Sequence, residues 1–146
     1  ITMLIEDLLT EKSRQLFTIE QKKTVEDAIA VLADKDIGAL PVCDATGKMV
    51  GIMSERDIVG TFNKTDNKWR QLTVSSIMKR KVISAAPGDK IRDVIAIMNE
   101  KRIRHVPVLE NGELVAMFSV RDLFSYLLEV TQAQRDTMTM AYEMIR

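Results

Sequence analysis

Apolar residues in this chain follow two rhythms that take turns along it. From Thr24 to Asp36, Val25, Ala28, Ile29, Leu32 and Ala33 recur at three- and four-residue spacing, which predicts a helix with one buried stripe. Ile91–Arg102 repeats the stripe with Val94, Ile95, Ile97 and Met98. Short apolar runs separate these helices. "ALPVC" and "HVPVL" read as strands, each holding a proline (Pro41, Pro107), and "MVGIMS" and "LVAMFS" read as the strands that return. Proline has no amide to give to a ladder, so the proline strands are expected at an edge or with an irregular start. Asn111-Gly112 predicts a tight hairpin, and Asp44–Lys48 its longer equivalent. Leu16–Ile19 and Val82–Ser84 are short strand candidates ahead of each helix.

These patterns are two copies of one unit. An offset of 66 lays Lys23 on Asp89, Val25 on Ile91, Asp27 on Asp93 and Pro41 on Pro107. The turn loses one residue, and an offset of 65 then lays Ser54, Arg56 and Asp57 on Ser119, Arg121 and Asp122. Each copy reads strand, helix, strand, turn, strand, helix. One copy is too small to bury both sides of its sheet, so the two are expected to share a core about an approximate two-fold axis. The expected class is mixed, α/β of the α+β type. Its segments are an N-terminal helical stretch (1–15), the first repeat (16–62), a linker (63–79), the second repeat (80–128) and a C-terminal helix (129–146). The tail carries Met138, Ala141, Tyr142 and Ile145 at helical spacing, a stripe expected to dock either on its own domain or, the favoured reading, on a twin chain, giving a homodimer. Trp69, in the polar linker, is expected to anchor it to the body.

Composition narrows the function. With 46% hydrophobic and 29% charged residues, the 146-residue chain can bury a core and keep a solvated surface. Lys plus Arg and Asp plus Glu are both 21, so a general nucleic-acid binder is not expected; a local pocket for one anion is compatible. Cys43 is the only cysteine and lies in an apolar run, so it is expected as a core residue in a cytoplasmic protein. No signal segment or membrane span is expected. A metal site is not expected either, because His105 is the only histidine. No triad and no glycine-rich phosphate loop appears, so the chain is read as a binder without catalytic residues or a catalytic cofactor.

The candidate chemistry sits where each returning strand runs into a helix, at Ser54-x-x-Asp57 and Ser119-x-x-Asp122. One reading is a capping box, with the serine oxygen on the N3 amide and the acid on the N-cap amide. Aspartate is shorter than the usual glutamate, so the acid's half is expected to be strained. The other reading is a ligand site. A helix N-terminus with a hydroxyl suits a phosphate, and a carboxylate accepts from two adjacent ribose hydroxyls. Arg56 and Arg121 are split between phosphate contact and surface ion pairing. "KRK" (Lys79–Lys81) reads as a solvated turn or as charge at a cleft mouth.

The repeat "VEDAIAVLADKDIGALPV…GKMVGIMSERDIV" with "IRDVIAIMNEKRIRHVPV…GELVAMFSVRDLF" resembles a tandem pair of cystathionine-β-synthase-type (CBS) domains, from about Phe17 to Leu128. The resemblance implies two β-α-β-β-α units about a pseudo-two-fold axis and two clefts that take AMP, ADP or ATP, in some members NAD(H) or S-adenosylmethionine. It implies pairs that associate into a flat disc. It also implies roles: Asp57 and Asp122 for the ribose, Ser54 and Ser119 for the ribose-phosphate end, Thr18 and Ser84 near ribose or base. Gly38 and Ala39, with Pro41, and Arg104 and His105, with Pro107, would line the clefts, the basic pair reaching phosphate. The copies differ at Gly38-Ala39 against Arg104-His105, and at Gly51 against Ala116, whose Cβ would crowd a close ligand. The clefts are therefore expected to be unequal, with a more phosphorylated ligand in the one that Arg104 and His105 reach. A regulatory adenine-nucleotide sensor is the reading these residues favour; a purely structural dimerisation module and an S-adenosylmethionine sensor are its alternatives.

Overall fold

The computed structural model describes residues 2–62 and 67–145. In the first copy β1 (Ile19–Glu20), α1 (Val25–Lys35), β2 (Ala39–Cys43), β3 (Met49–Ser54) and α2 (Glu55–Val59) follow in order. After a 3-10 turn at Lys68–Gln71 and α3 (Val74–Ile77), the second copy supplies α4 (Ile91–Lys101), β4 (His105–Glu110), β5 (Glu113–Ser119) and α5 (Val120–Ile145). The helical stripes bury as read: Val25, Ala28 and Leu32 on α1, Ile91, Val94 and Met98 on α4. Both helices stop on a left-handed residue, Asp36 (φ 52°) and Arg102 (φ 56°). Asn111 and Gly112 take positive φ in the second hairpin, as the strand twist requires of a two-residue turn.

Two strand expectations fail for one reason. The expected strand at Leu16–Ile19 shrinks to Ile19–Glu20, and Val82–Ser84 forms none; Ala85 makes a single parallel bridge to Val108. Ala85 N donates to Pro107 O and Leu109 N to Ala85 O, both at 2.9 Å. The next rung upstream would need an amide from Pro107, which proline lacks. Pro41 is in the same position toward β1. It is nevertheless in the central strand, since the sheet order is β1-β2-β3, so the edge half of the expectation fails for Pro41, whereas Pro107 lies on β4 of the two-stranded sheet β4-β5. The missing amide of Pro41 faces the side where pairing has already stopped.

The segments ahead of each repeat cross over. Ile5 N donates to Asp89 O and Ile91 N to Met3 O; Val74 N donates to Lys23 O and Val25 N to Leu72 O. Ile5 is thereby buried in the second copy's core with Ile91, Phe118 and Leu123. Val74 and Met78 are buried in the first copy's core with Val25, Leu40 and Met53. Each core is completed by the other copy's lead-in. Trp69 is half-buried against the first core and meets Phe62 in a tilted ring contact, centroids 4.9 Å apart and planes at 52°.

The expected N-terminal helix is only a 3-10 turn, Ile5–Leu8. The C-terminal helix does not begin at 129: α5 is one helix of 26 residues, roughly 39 Å long. No glycine or proline follows Gly112 to stop it, whereas α2 ends after five residues at Gly60. Beyond Glu129 its side chains are almost all exposed, Met138, Ala141, Tyr142 and Ile145 among them.

Candidate functional site

Both Ser-x-x-Asp junctions form closed capping boxes. Ser54 Oγ accepts from Asp57 N at 3.3 Å, and Asp57 Oδ2 accepts from Ser54 N at 2.9 Å and Ser54 Oγ at 3.0 Å. Ser119 Oγ accepts from Asp122 N at 3.0 Å, and Asp122 Oδ2 from Ser119 N at 2.7 Å. The short acid is therefore not strained, contrary to expectation. Thr24 and Asp27 cap α1 in the same way. Extended N-cap backbone turns the amide back toward the N3 carboxylate, so one methylene suffices.

Each junction opens on a cleft between the copies, and the clefts differ greatly. The larger, about 780 Å3, has Ser119, Arg121 and Asp122 on one wall and Gly38, Ala39 and Pro41 on the other. Phe17, Ile37 and Met117 add apolar surface, and Lys12, Ser13 and Gln15 come from the N-terminal lead-in. The smaller, about 130 Å3, is lined by Ser54, Arg56 and Asp57, with Ile52 and Lys79. Only the larger falls in the range of about 300–1,000 Å3 usual for small-molecule sites.

Gly38, Ala39, Arg104 and His105 line both clefts. The expectation that one cleft is distinguished by Arg104 and His105 is thus corrected: they stand between the two. Gly38 leaves room for the imidazole, since a Cβ there would lie 3.2 Å from His105 Cε1. Three predicted residues line neither cleft. Pro107 is buried in β4; Thr18 and Ser84 are exposed beside strands that stop short. Thr18 lies instead beside the Cys43 thiol, whose pKa burial pushes up.

The inequality comes from the lead-ins. Ile5 and Val74 are equivalent at an offset of 69, while Ile19 and Ala85 are equivalent at 66, so the first lead-in has three extra residues. Its loop forms part of the larger cleft's wall, through Lys12, Ser13, Gln15 and Phe17. The shorter second lead-in is pinned to β3: Ile52 N donates to Lys79 O and Lys79 N to Ile52 O, both at 2.9 Å. Gly51 permits this, because a Cβ would lie 2.6 Å from Met78 Sδ and 2.8 Å from Lys79 O. Neither Gly51 nor Ala116 lines a cleft; Ala116 is fully buried in the second core. The expectation that its Cβ crowds a ligand is overturned.

Sequence reasoning missed Lys12, Ser13, Phe17 and Tyr126 in the larger cleft and Glu55 in the smaller. Only the extra length of the first lead-in signalled the first two. Arg56 and Arg121 are exposed at the two rims, and neither makes an ion pair within 4.0 Å among the described residues. Among the described residues no cluster of His, Cys, Asp and Glu is arranged to hold a metal, and no helix is long and apolar enough to cross a membrane.

His105 is half-buried, and burial pulls its pKa below the ordinary value; Asp122 and then Glu55 oppose this, and Arg104 reinforces it. The unfolded chain therefore binds the proton more tightly. Stability from the neutral ring is present above about pH 6.5 and is lost as pH falls through that value toward the folded one. The thermal midpoint is expected to drop between pH 7.5 and 6, and His105→Gln to flatten that drop. With one histidine in the chain, no other side chain ordinarily titrates there.

The family model described as CBS domain matches the chain twice, over residues 5–64 and 74–129. A CBS-domain containing protein from Agrobacterium tumefaciens, ATU1752, has 32% identity and a TM-score of 0.81, covering 85% of this chain and 98% of its own. The CBS domain pair of protein MJ0100, solved with 5'-methylthioadenosine and S-adenosyl-L-methionine, has 26% identity and a TM-score of 0.77 over 90% of this chain and 99% of its own. A 33.4 kDa protein from the ribosomal RNA operon of Thermofilum pendens is 28% identical over 106 residues, 73% of this chain; the chain spans 34% of that relative's length.

Proposed function

The chain belongs to the CBS-domain family as a tandem pair, and from that premise we propose that it is a regulatory sensor that holds an adenosine-bearing small molecule in the larger cleft. The observation that supports this most is the Ser119–Asp122 cap on the wall of a cleft of about 780 Å3. Asp122 Oδ2 is used by the cap, while among the described residues no cation lies within 4.0 Å of its carboxylate. That carboxylate suits the paired hydroxyls of a ribose. Phe17, Ile37 and Met117 offer apolar surface to a purine, and Lys12 and Arg121 suit a phosphate. AMP, ADP, ATP or NAD(H) is the ligand class these cations favour. S-adenosylmethionine is the alternative, favoured by the acids Asp36 and Glu129 on the same cleft and by the ligands of the MJ0100 domain pair. The partner in assembly is a second copy seated on the exposed apolar stripe of α5.

Thermal unfolding with AMP, ATP, NADH and S-adenosylmethionine tests the reading. A ligand at 100 times its dissociation constant is expected to stabilise the protein by about 2.7 kcal/mol. If none of the four moves the midpoint at millimolar concentration, the sensor reading fails and the capping boxes stand as purely structural.

A further inference from the structure

We propose that the chain takes one adenosine ligand rather than two, because Lys79 occupies the second site from within. This rests on the reading of the larger cleft just given. The repeat supplies both clefts with the same serine and acid, so equal occupancy is the default. The acids are nevertheless committed differently. Asp57 Oδ2 accepts from the Ser54 amide and hydroxyl, and Lys79 Nζ stands 3.8 Å from Oδ1. The Asp57 side chain is only 11% exposed. Asp122 has the cap bond from Ser119 N and no such cation within 4.0 Å among the described residues.

The backbone holds Lys79 where it is. Its amide and carbonyl both bond to Ile52, and Gly51 lets residues 78 and 79 lie directly on β3. Only the side chain can leave. The Lys79 side chain is 61% exposed, so the pair adds little stability. Its effect is on access: it fills space in a cleft of about 130 Å3 and neutralises the carboxylate a ribose would need. Lys79 is thus a specificity-determining residue that sets stoichiometry and makes two near-identical motifs unequal.

Calorimetric titration with AMP and, separately, with S-adenosylmethionine tests this on the wild type, Lys79→Ala and Lys79→Arg. One site per chain is expected in the wild type and in Lys79→Arg, which keeps a cation against Asp57. Lys79→Ala is expected to show a second, weaker event that Asp57→Asn in the same background removes. Two sites in the wild type overturn the inference and leave the adenosine reading standing. A single site in Lys79→Ala, with the fold intact by circular dichroism, also overturns it. No binding by either probe to any variant overturns both.

Discussion

Ile5→Ala is expected to destabilise the protein by about 3 kcal/mol, within the range of roughly 2–5 kcal/mol for truncating a large buried aliphatic side chain. Ile5 precedes the first repeat, between half-buried Met3 and Leu4 on one side and the exposed acids Glu6 and Asp7 on the other, so nothing local ties it to the second repeat's core. It is nonetheless 0% exposed and packs among Ile91, Phe118 and Leu123 of the second copy. The bonds from Ile5 N to Asp89 O and from Ile91 N to Met3 O fix the segment, so it cannot easily collapse into the cavity the truncation leaves. At about 2–4 °C per kcal/mol for a chain of this size, the midpoint is expected to fall by roughly 10 °C. Ile145→Ala, at a residue 83% exposed, is the matched control and is expected to change little in the monomer. A midpoint unchanged by Ile5→Ala would show that the lead-in does not complete the second core.

The second large effect is on binding. Asp122→Asn is expected to weaken the adenosine ligand about a hundredfold, while Asp57→Asn leaves its affinity unchanged. Hydrogen bonds to a charged group contribute roughly 1.5–3 kcal/mol each, and a ribose offers two donors to one carboxylate. Losing the charge while keeping an amide oxygen is worth about 3 kcal/mol, or two decades in Kd. Asparagine can still accept from Ser119 N, so the cap changes by no more than about 1 kcal/mol. Melting curves without ligand and titrations with it separate the two contributions. Equal weakening by both variants would mean that the two clefts share the ligand.

Much of this fold was legible in the chain because its signals are local. Helical spacing at Val25–Leu32 and Ile91–Met98, Asn111-Gly112 in the hairpin and the serine–aspartate spacing at each junction are all short-range patterns. The resemblance to the CBS family then implied two clefts. What could not be read are features set by contacts across the fold. The exchange of lead-ins depends on Ile5 and Val74 meeting the opposite copy. Gly51 read as a ligand-facing glycine, yet its neighbour is the backbone of Lys79. The difference at Arg104 and His105 was visible, but those residues face both clefts and so cannot set them apart. The inequality lies in three extra residues of a polar lead-in and in one lysine of a basic turn, neither marked by apolar periodicity.

The most direct test of the central claim is a crystal structure of the protein soaked with AMP or S-adenosylmethionine. The expected result is one ligand per chain in the cleft between Pro41 and Ser119, with both ribose hydroxyls within hydrogen-bond distance of the Asp122 carboxylate. A ligand seated first against Asp57, or one in the larger cleft with its ribose turned away from Asp122, would contradict it.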